Sequence, residues 1–304
     1  MVKFILKRVL SSIIAVFILI TATFFLMHLV PGSPFTSEKM TPAVREKLEE
    51  KYGLDKPLTT QYALYLKNLF KGDLGTSLSK KGRTVNSIIG EKFPYSARFG
   101  LMAIGFALLI GIPLGALAAI KHEKLIDRIV MMFTTVFISV PGFVVGTLLL
   151  VIFGALLHWA PTKWVDEFPN YVLPIITYSF YPICYISKLT RSAMLETLGQ
   201  DYIKTAHAKG LSAFMVNFKH ALKNSVIPVI SYLGPLTAFL ITGGFAVEKI
   251  FMIPGLGQFF VASVLNRDYP VIMGTTIFLG AMMVAMNLLV DIIYSFVDPR
   301  IKLR

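Results

Sequence analysis

Side chains able to do chemistry are few in this chain, and nearly all of them lie outside its apolar stretches. Five histidines and one cysteine are spread over 304 residues. They form no His-Glu-x-x-His pair for a metal, and no two aspartates are placed for intramembrane proteolysis. No window matches G-x-x-x-x-G-K-[ST], so the chain has no recognisable phosphate-cradling loop of its own. An ion-coupled carrier usually needs ionisable groups near mid-membrane, whereas Lys188, Glu248 and Asp291 fall toward the ends of apolar segments. No selectivity filter or ring of acids is visible either. The densest polar set is Gly199-Gln-Asp-Tyr-Ile-Lys-Thr-Ala-His-Ala-Lys-Gly210. Its chemistry is recognition, not bond-making.

This island carries its own helix punctuation. Asp201 is an expected N-cap, its carboxylate accepting from orphan N–H groups of the first turn. Gly210 is an expected C′ residue, because glycine takes the left-handed conformation without a Cβ penalty. Between them lie two turns, ~12 Å long at 1.5 Å per residue. Ile203, Ala206 and Gly210 fall on one face, with Lys204, His207 and Lys209 mostly off it. Ser212 can cap a following helix in which Phe214 and Phe218 stack at i, i+4. A helix this short must dock on something larger. It could lie in lipid headgroups, seat as a lever in a cleft of a cytosolic partner, or form part of a helix-turn-helix. Apolar spans on both sides weigh against DNA.

The elements that hold the island are membrane spans. Hydrophobic residues make up 55% of the chain and charged residues 15%, where a soluble domain carries about a quarter. The net charge of +13 points to anionic lipid and the positive-inside rule before nucleic acid. A lone cysteine, Cys184, gives no disulfide framework. The first span is Val9–Val30, retained because its core is too long for a signal peptide and no A-x-A-like cleavage site follows. Pro31-Gly-Ser-Pro34 stops it. Residues 31–96 then form a polar region, with a helix expected from Thr41-Pro42 to near Gly53 and another over Thr59–Phe70. The latter puts Tyr62, Tyr65, Leu66 and Leu69 on one side. Gly72-Asp-Leu-Gly75 is an expected turn.

Further spans are expected at about Ala97–Ile120, Ile129–Leu157, Tyr171–Leu189, Val226–Val247 and Val271–Ile293. Gly111-Ile-Pro-Leu-Gly115 combines a kink site at Pro113 with a small-xxx-small face. Val140-Pro-Gly142 interrupts the third span, Pro174 and Pro182 make the fourth irregular, and Gly234-Pro235 and Gly243-Gly244 can bend the fifth. Trp159 and Trp164 suit an interfacial belt. Basic residues at both termini, in the 121–128 loop and in the 188–223 island share one side, which is therefore cytosolic. Both termini lie inside, and the Pro254-Gly-Leu-Gly257 loop faces out. The divisions are 1–30, 31–96, a five-helix core 97–297 containing the loop 190–224, and a tail 298–304.

Leu198–Leu211, followed by His220-Ala-Leu-Lys-Asn224 and Pro228, resembles the coupling-loop motif of ATP-binding-cassette importer permeases. More narrowly, it resembles the dipeptide/oligopeptide/nickel group. Lys7-Arg8 with Pro31-Gly32, Tyr52-Gly-Leu-Asp-Lys-Pro57, Gly72-Asp-Leu-Gly-Thr-Ser77, Phe251 with Pro254–Gly257, Arg267-Asp-Tyr-Pro270 and Asp298-Pro-Arg-Ile301 extend the resemblance along the chain to a B-type permease. The resemblance implies an all-α integral membrane protein with six transmembrane helices of the type I importer permease fold and a small extracytoplasmic region. It implies a non-catalytic subunit of an oligopeptide importer in a bacterial inner membrane, with dipeptides or nickel chelates as alternative cargo. The implied partners are a homologous C-type half, two cytosolic ATPase subunits that carry the ATP and Mg, and an extracytoplasmic substrate-binding protein; no nucleic acid is implied. Asp201, Tyr202, Lys204, Thr205, Ala206, His207, Lys209 and Gly210 then stand at the ATPase, with Tyr202, Thr205, Ala206 and Gly210 where the coupling helix enters its groove. Lys204 stands where the wider family often has an acid. Pro254, Gly255, Leu256 and Gly257 are the expected contact for the binding protein. Pro113, Pro141, Pro182, Gly243 and Gly244 are candidate gate positions.

Overall fold

The computed structural model describes residues 2–29, 53, 55–80 and 82–297. Apart from one isolated bridge between Thr76 and Thr84, every regular element among them is helical. Helix α1 is Val2–Leu29, α2 is Leu58–Phe70 and α3 is Val85–Ile120. Leu125–Ile138 forms α4 and Gly142–Leu149 forms α5, which continues as π-helix through Leu150–Leu156. Helix α6 is Pro169–Leu198, and α7 is the short Asp201–Ala208. A π-helical segment, Met215–Ala221, leads through Leu222–Ser225 into α8, Ile227–Ile241. Then come α9 (Phe245–Ile250), α10 (Leu256–Leu265) and α11 (Tyr269–Val297). Five described segments are long and apolar enough to cross a membrane, or six if the bent α4–α5 pair is one span.

The bundle is centred on α3 and α6, which run parallel. At one end Phe99 stacks on Tyr171 with centroids 5.0 Å apart, and at the other Ala116 and Ala119 meet Met194. Glycines set the close approach. A Cβ on Gly111 would lie 2.9 Å from Ile186 Cγ2, and one on Gly115 would collide with the carbonyl oxygen of Ser187. Ser187 Oγ donates to the Gly111 carbonyl at 3.1 Å. The small-xxx-small pair thus lies on the contact with α6. Gly100 makes a similar approach to α8, where a Cβ would lie 2.5 Å from the Leu240 oxygen. On the flank, α2 lies against α1: Phe24 faces Tyr62 and Tyr65 with centroids at 5.1 and 5.6 Å, and Thr21 Oγ1 is 2.7 Å from the Tyr62 hydroxyl. Burial pushes the Tyr65 phenol well above its ordinary range.

Several expectations need correction. Helix α3 begins at Val85, well before Ala97, with Thr84 Oγ1 accepting from the Ser87 N–H at 3.2 Å. Val85, Ile88 and Ile89 pack with Leu256 and Val271, so tertiary burial extends the helix beyond its continuous apolar run. Helix α6 is unbroken through Pro174 and Pro182, both buried in the packed bundle. The interruption expected at Val140-Pro-Gly142 is present: the third span is bent by 101° between Ile138 and Gly142. Trp164 points inward, its ring edge-on to Phe99 and Tyr171 at 5.4 and 5.5 Å, whereas Trp159 is exposed. Gly72 and Gly75, at φ 76° and 93°, make the expected turn. The helix expected from Thr41-Pro42, the Pro31–Pro34 stop and the 298–304 tail lie outside the described residues.

Candidate functional site

Helix α7 is seated on the bundle by two side chains. Ile203 and Ala206, 2% and 7% exposed, join Ala116 and Ala119 of α3, Met194 of α6, and Val216 and Ala221 in one apolar cluster. Lys204, Thr205, His207, Lys209 and Gly210 stay exposed. Tyr202 is half-exposed, and its hydroxyl accepts from Asn224 Nδ2 at 2.7 Å. Ala206, expected in a partner's groove, instead faces this chain's own core, because it shares the anchoring face with Ile203.

The helix ends are built unequally. Asp201 is not the N-cap: Gln200 holds that position with no side-chain cap bond, and Asp201 is the first helical residue. Its carboxylate accepts from Lys204 Nζ at 2.8 Å, while its charge suits the positive helix end. The other end closes as expected. Gly210, at φ +75°, gives its N–H to His207 O at 2.9 Å, and the Leu211 N–H reaches Ala206 O at 3.3 Å. This double closure is a Schellman motif. Ser212 Oγ accepts from the Met215 N–H at 3.3 Å, and the Phe214 and Phe218 rings lie 4.8 Å apart.

A buried acid that the sequence reading overlooked braces the same end of the bundle. Asp127 takes Arg191 Nε at 2.5 Å and Nη2 at 2.8 Å, together with the Glu123 N–H at 3.0 Å. The fork of the guanidinium fixes orientation as well as distance. Asp127 thereby ties the α3–α4 turn to α6 shortly before α7. An acid opening a helix inside an otherwise basic loop was the available signal.

Toward the opposite end lies a cavity of about 680 Å³. Its walls come from the α4–α5 break, α6, α8 and the α8–α9 break. Pro141, Pro182, Gly243 and Gly244 all line it, whereas Pro113 lies elsewhere within uninterrupted α3. Tyr178, Tyr181, Tyr232, Phe143, Phe239 and Phe245 supply its aromatic surface, and among the described residues no Asp, Glu, Lys, Arg or His lines it. Such a wall offers apolar and aromatic contact without demanding a complementary charge.

The Pro254–Gly257 loop is not the open surface expected for a partner. Gly255, Leu256 and Gly257 are buried, wrapped around Glu248, which is itself 0% exposed. The physical reason is the acid: a buried carboxylate needs donors, and it takes Ser96 Oγ at 2.6 Å and the N–H of Gln258, next after the loop, at 2.8 Å. Asp268 is enclosed likewise, accepting from Ser77 Oγ at 2.5 Å, Ser79 Oγ at 2.6 Å, and the N–H groups of Leu78 and Ser79 at 3.0 Å. Sequence reasoning missed the roles of both acids. The glycines flanking Glu248 on both sides were the clue. Among the described residues no group of three His, Cys, Asp or Glu could hold a metal ion.

Residues 1–98 match the N-terminal family of binding-protein-dependent transport system membrane components, and residues 111–303 match the binding-protein-dependent transport system inner membrane component family. The dipeptide transport system permease protein DppB of Bacillus subtilis is 43% identical, over all of this chain and 99% of its own length. The oligopeptide transport system permease proteins OppB of Haemophilus influenzae and of Escherichia coli K12 are each 42% identical, over 99% of this chain and their whole length. This chain belongs to that family of transport-system membrane components, the multi-spanning, non-catalytic permease subunits of ABC importers.

Proposed function

We propose that this chain forms half of the translocation path of an ATP-driven oligopeptide importer in a bacterial inner membrane. The other half is a homologous C-type subunit. Two cytosolic ATPase subunits, which carry ATP and Mg, drive the pair, and an extracytoplasmic binding protein delivers peptide. Relatives named for oligopeptide and dipeptide transport support a peptide cargo, and dipeptides fit the same architecture. The carrying observation is α7: anchored by Ile203 and Ala206, and exposed on the face that bears Tyr202, Lys204, Thr205 and His207. The basic residues Lys121, Lys124, Arg128, Lys204, Lys209, Lys219 and Lys223 gather near it, which favours a cytosolic location for this end and for both termini.

In this reading the ATPase moves α7 when its subunits close. Ile203, Ala206 and the Asp127–Arg191 brace pass the displacement to α3 and α6 as a rigid body. The cavity beside α6, with the breaks at Pro141 and Gly243-Gly244 in its wall, changes access as they move. Neutral aromatic walls admit peptide regardless of side-chain charge. The binding protein meets the exposed rim of the outer loop at Met252, 60% exposed, instead of the buried Gly255–Gly257.

Uptake of a labelled tripeptide into proteoliposomes containing the full complex tests the reading. Gly210→Arg places a side chain at φ +75° and disrupts the Schellman closure. Uptake is expected to fall at least tenfold with loss of ATPase association, while the permease pair stays assembled. Unchanged ATP-driven uptake would remove α7 from coupling.

A further inference from the structure

The cavity wall and the Pro254–Gly257 loop meet at one carboxylate. Glu248 lies on α9, between the Gly243-Gly244 break and the loop. Its Oε1 accepts from Ser96 Oγ at 2.6 Å and lies 3.4 Å from the Tyr178 hydroxyl. That hydroxyl belongs to a residue of the cavity wall, and it also accepts the Gly244 N–H at 2.8 Å. Toward the loop, Oε2 accepts the Gln258 N–H at 2.8 Å, and Ser96 Oγ accepts the Leu256 N–H at 2.8 Å. Glycine is required on all sides. A Cβ on Gly243, which is held at φ +100°, would lie 2.5 Å from Oε1; one on Gly255 would overlap the carboxylate itself; and one on Gly257 would lie 2.8 Å from the Gly243 oxygen.

Packing alone does not explain an acid here. An apolar side chain of similar volume would avoid desolvating a carboxylate and is often neutral or stabilising in such a place. The acid instead adds a directional tie between two segments that packing would only bring near each other. We propose that Glu248 is a positioning residue for transport, locking the Pro254–Gly257 loop to Tyr178 and the Gly243-Gly244 break. When the docked binding protein shifts the loop, the cavity wall shifts with it. This inference rests on the importer reading and deepens it by naming how the cavity is told that cargo has arrived.

Glu248→Gln tests it with nearly constant volume: whichever way the amide turns, one acceptor becomes a donor, facing either Ser96 Oγ, which then loses the acceptor of its own proton, or the Gln258 N–H. The assembled complex in proteoliposomes is assayed for ATPase activity with and without its loaded binding protein, and for uptake of a labelled tripeptide. ATPase activity without binding protein is expected to stay within twofold of the unmodified complex. Stimulation by the loaded binding protein is expected to fall at least tenfold, with uptake falling in parallel. Ser96→Ala removes one donor to the acid and also the acceptor of the Leu256 N–H; it should lower stimulation in the same direction, and it decides the question if Glu248→Gln does not assemble. Undiminished stimulation, or equal loss of unstimulated and stimulated activity, would overturn the proposal. An unmodified complex that responds to its binding protein but takes up no peptide would count against the peptide cargo and leave the latch standing.

Discussion

A single methyl group is enough to probe the contact between α3 and α6. At Gly115 the obstructing atom is a backbone carbonyl oxygen, which cannot move away as a side chain could. Gly115→Ala should therefore cost about 1–3 kcal/mol through overpacking, seen as a lower melting temperature in detergent. On the same helix, Gly105→Ala meets nothing within 4 Å; it should be neutral, or stabilise by about 0.5 kcal/mol as chain entropy is lost from the unfolded state. At the brace, Arg191→Ala strands Asp127, whose side chain is 4% exposed. Removing one partner of such a pair costs about 3 kcal/mol. Adding Asp127→Leu to Arg191→Ala should recover part of that loss in the same melting assay. Residues of this kind were hard to find from the sequence. Asp127, Glu248 and Asp268 resemble ordinary loop or span-end acids until distant segments supply their donors.

Short helices show what local patterns do and do not determine. The period of Tyr62 and Tyr65 placed α2 correctly, because those rings have an apolar partner in Phe24. The expected end of α7 also held, since a glycine at φ +75° closes a helix with local bonds alone. Its start was misassigned because Asp201 bonds to Lys204 instead of the backbone. The early start of α3 depends on Leu256 and Val271, which are remote in sequence. Prolines inside α6 suggested an irregular span, yet the helix runs on through both of them where they are buried. The seat of α7 gives a test at this scale. Ile203→Glu inserts a carboxylate among Ala116, Met194 and Val216, so α7 should lift away and the ATPase should no longer co-purify, while the rest of the bundle keeps its melting temperature within a few degrees. Lys204→Ala, on the exposed face, should leave that melting temperature unchanged.

For the molecule as a whole, the spans, the island and their order were legible from hydropathy and charge, because a membrane imposes length and polarity along the chain. The cavity was not. It forms where Pro141, Pro182 and the Gly243-Gly244 break converge from three separate helices, a convergence no local signal encodes. If its wall moves during transport, single cysteines at Phe143 and Phe239 should change maleimide labelling by several-fold between resting and ATP-trapped complexes. Buried Cys184 is first replaced by alanine, and a cysteine at Leu109, exposed on α3 away from the cavity lining, should not change. The enclosure of Asp268 bears on how the chain is made. Ser77 and its acid are 191 positions apart, and domains generally form in the order of synthesis. The 77–79 turn therefore emerges while most of the protein is still unmade, its N–H groups satisfied by water. Only when α11 is entering the membrane does Asp268 arrive to replace that water. A chain released early has an unsealed first half, open to proteases that the finished protein would exclude.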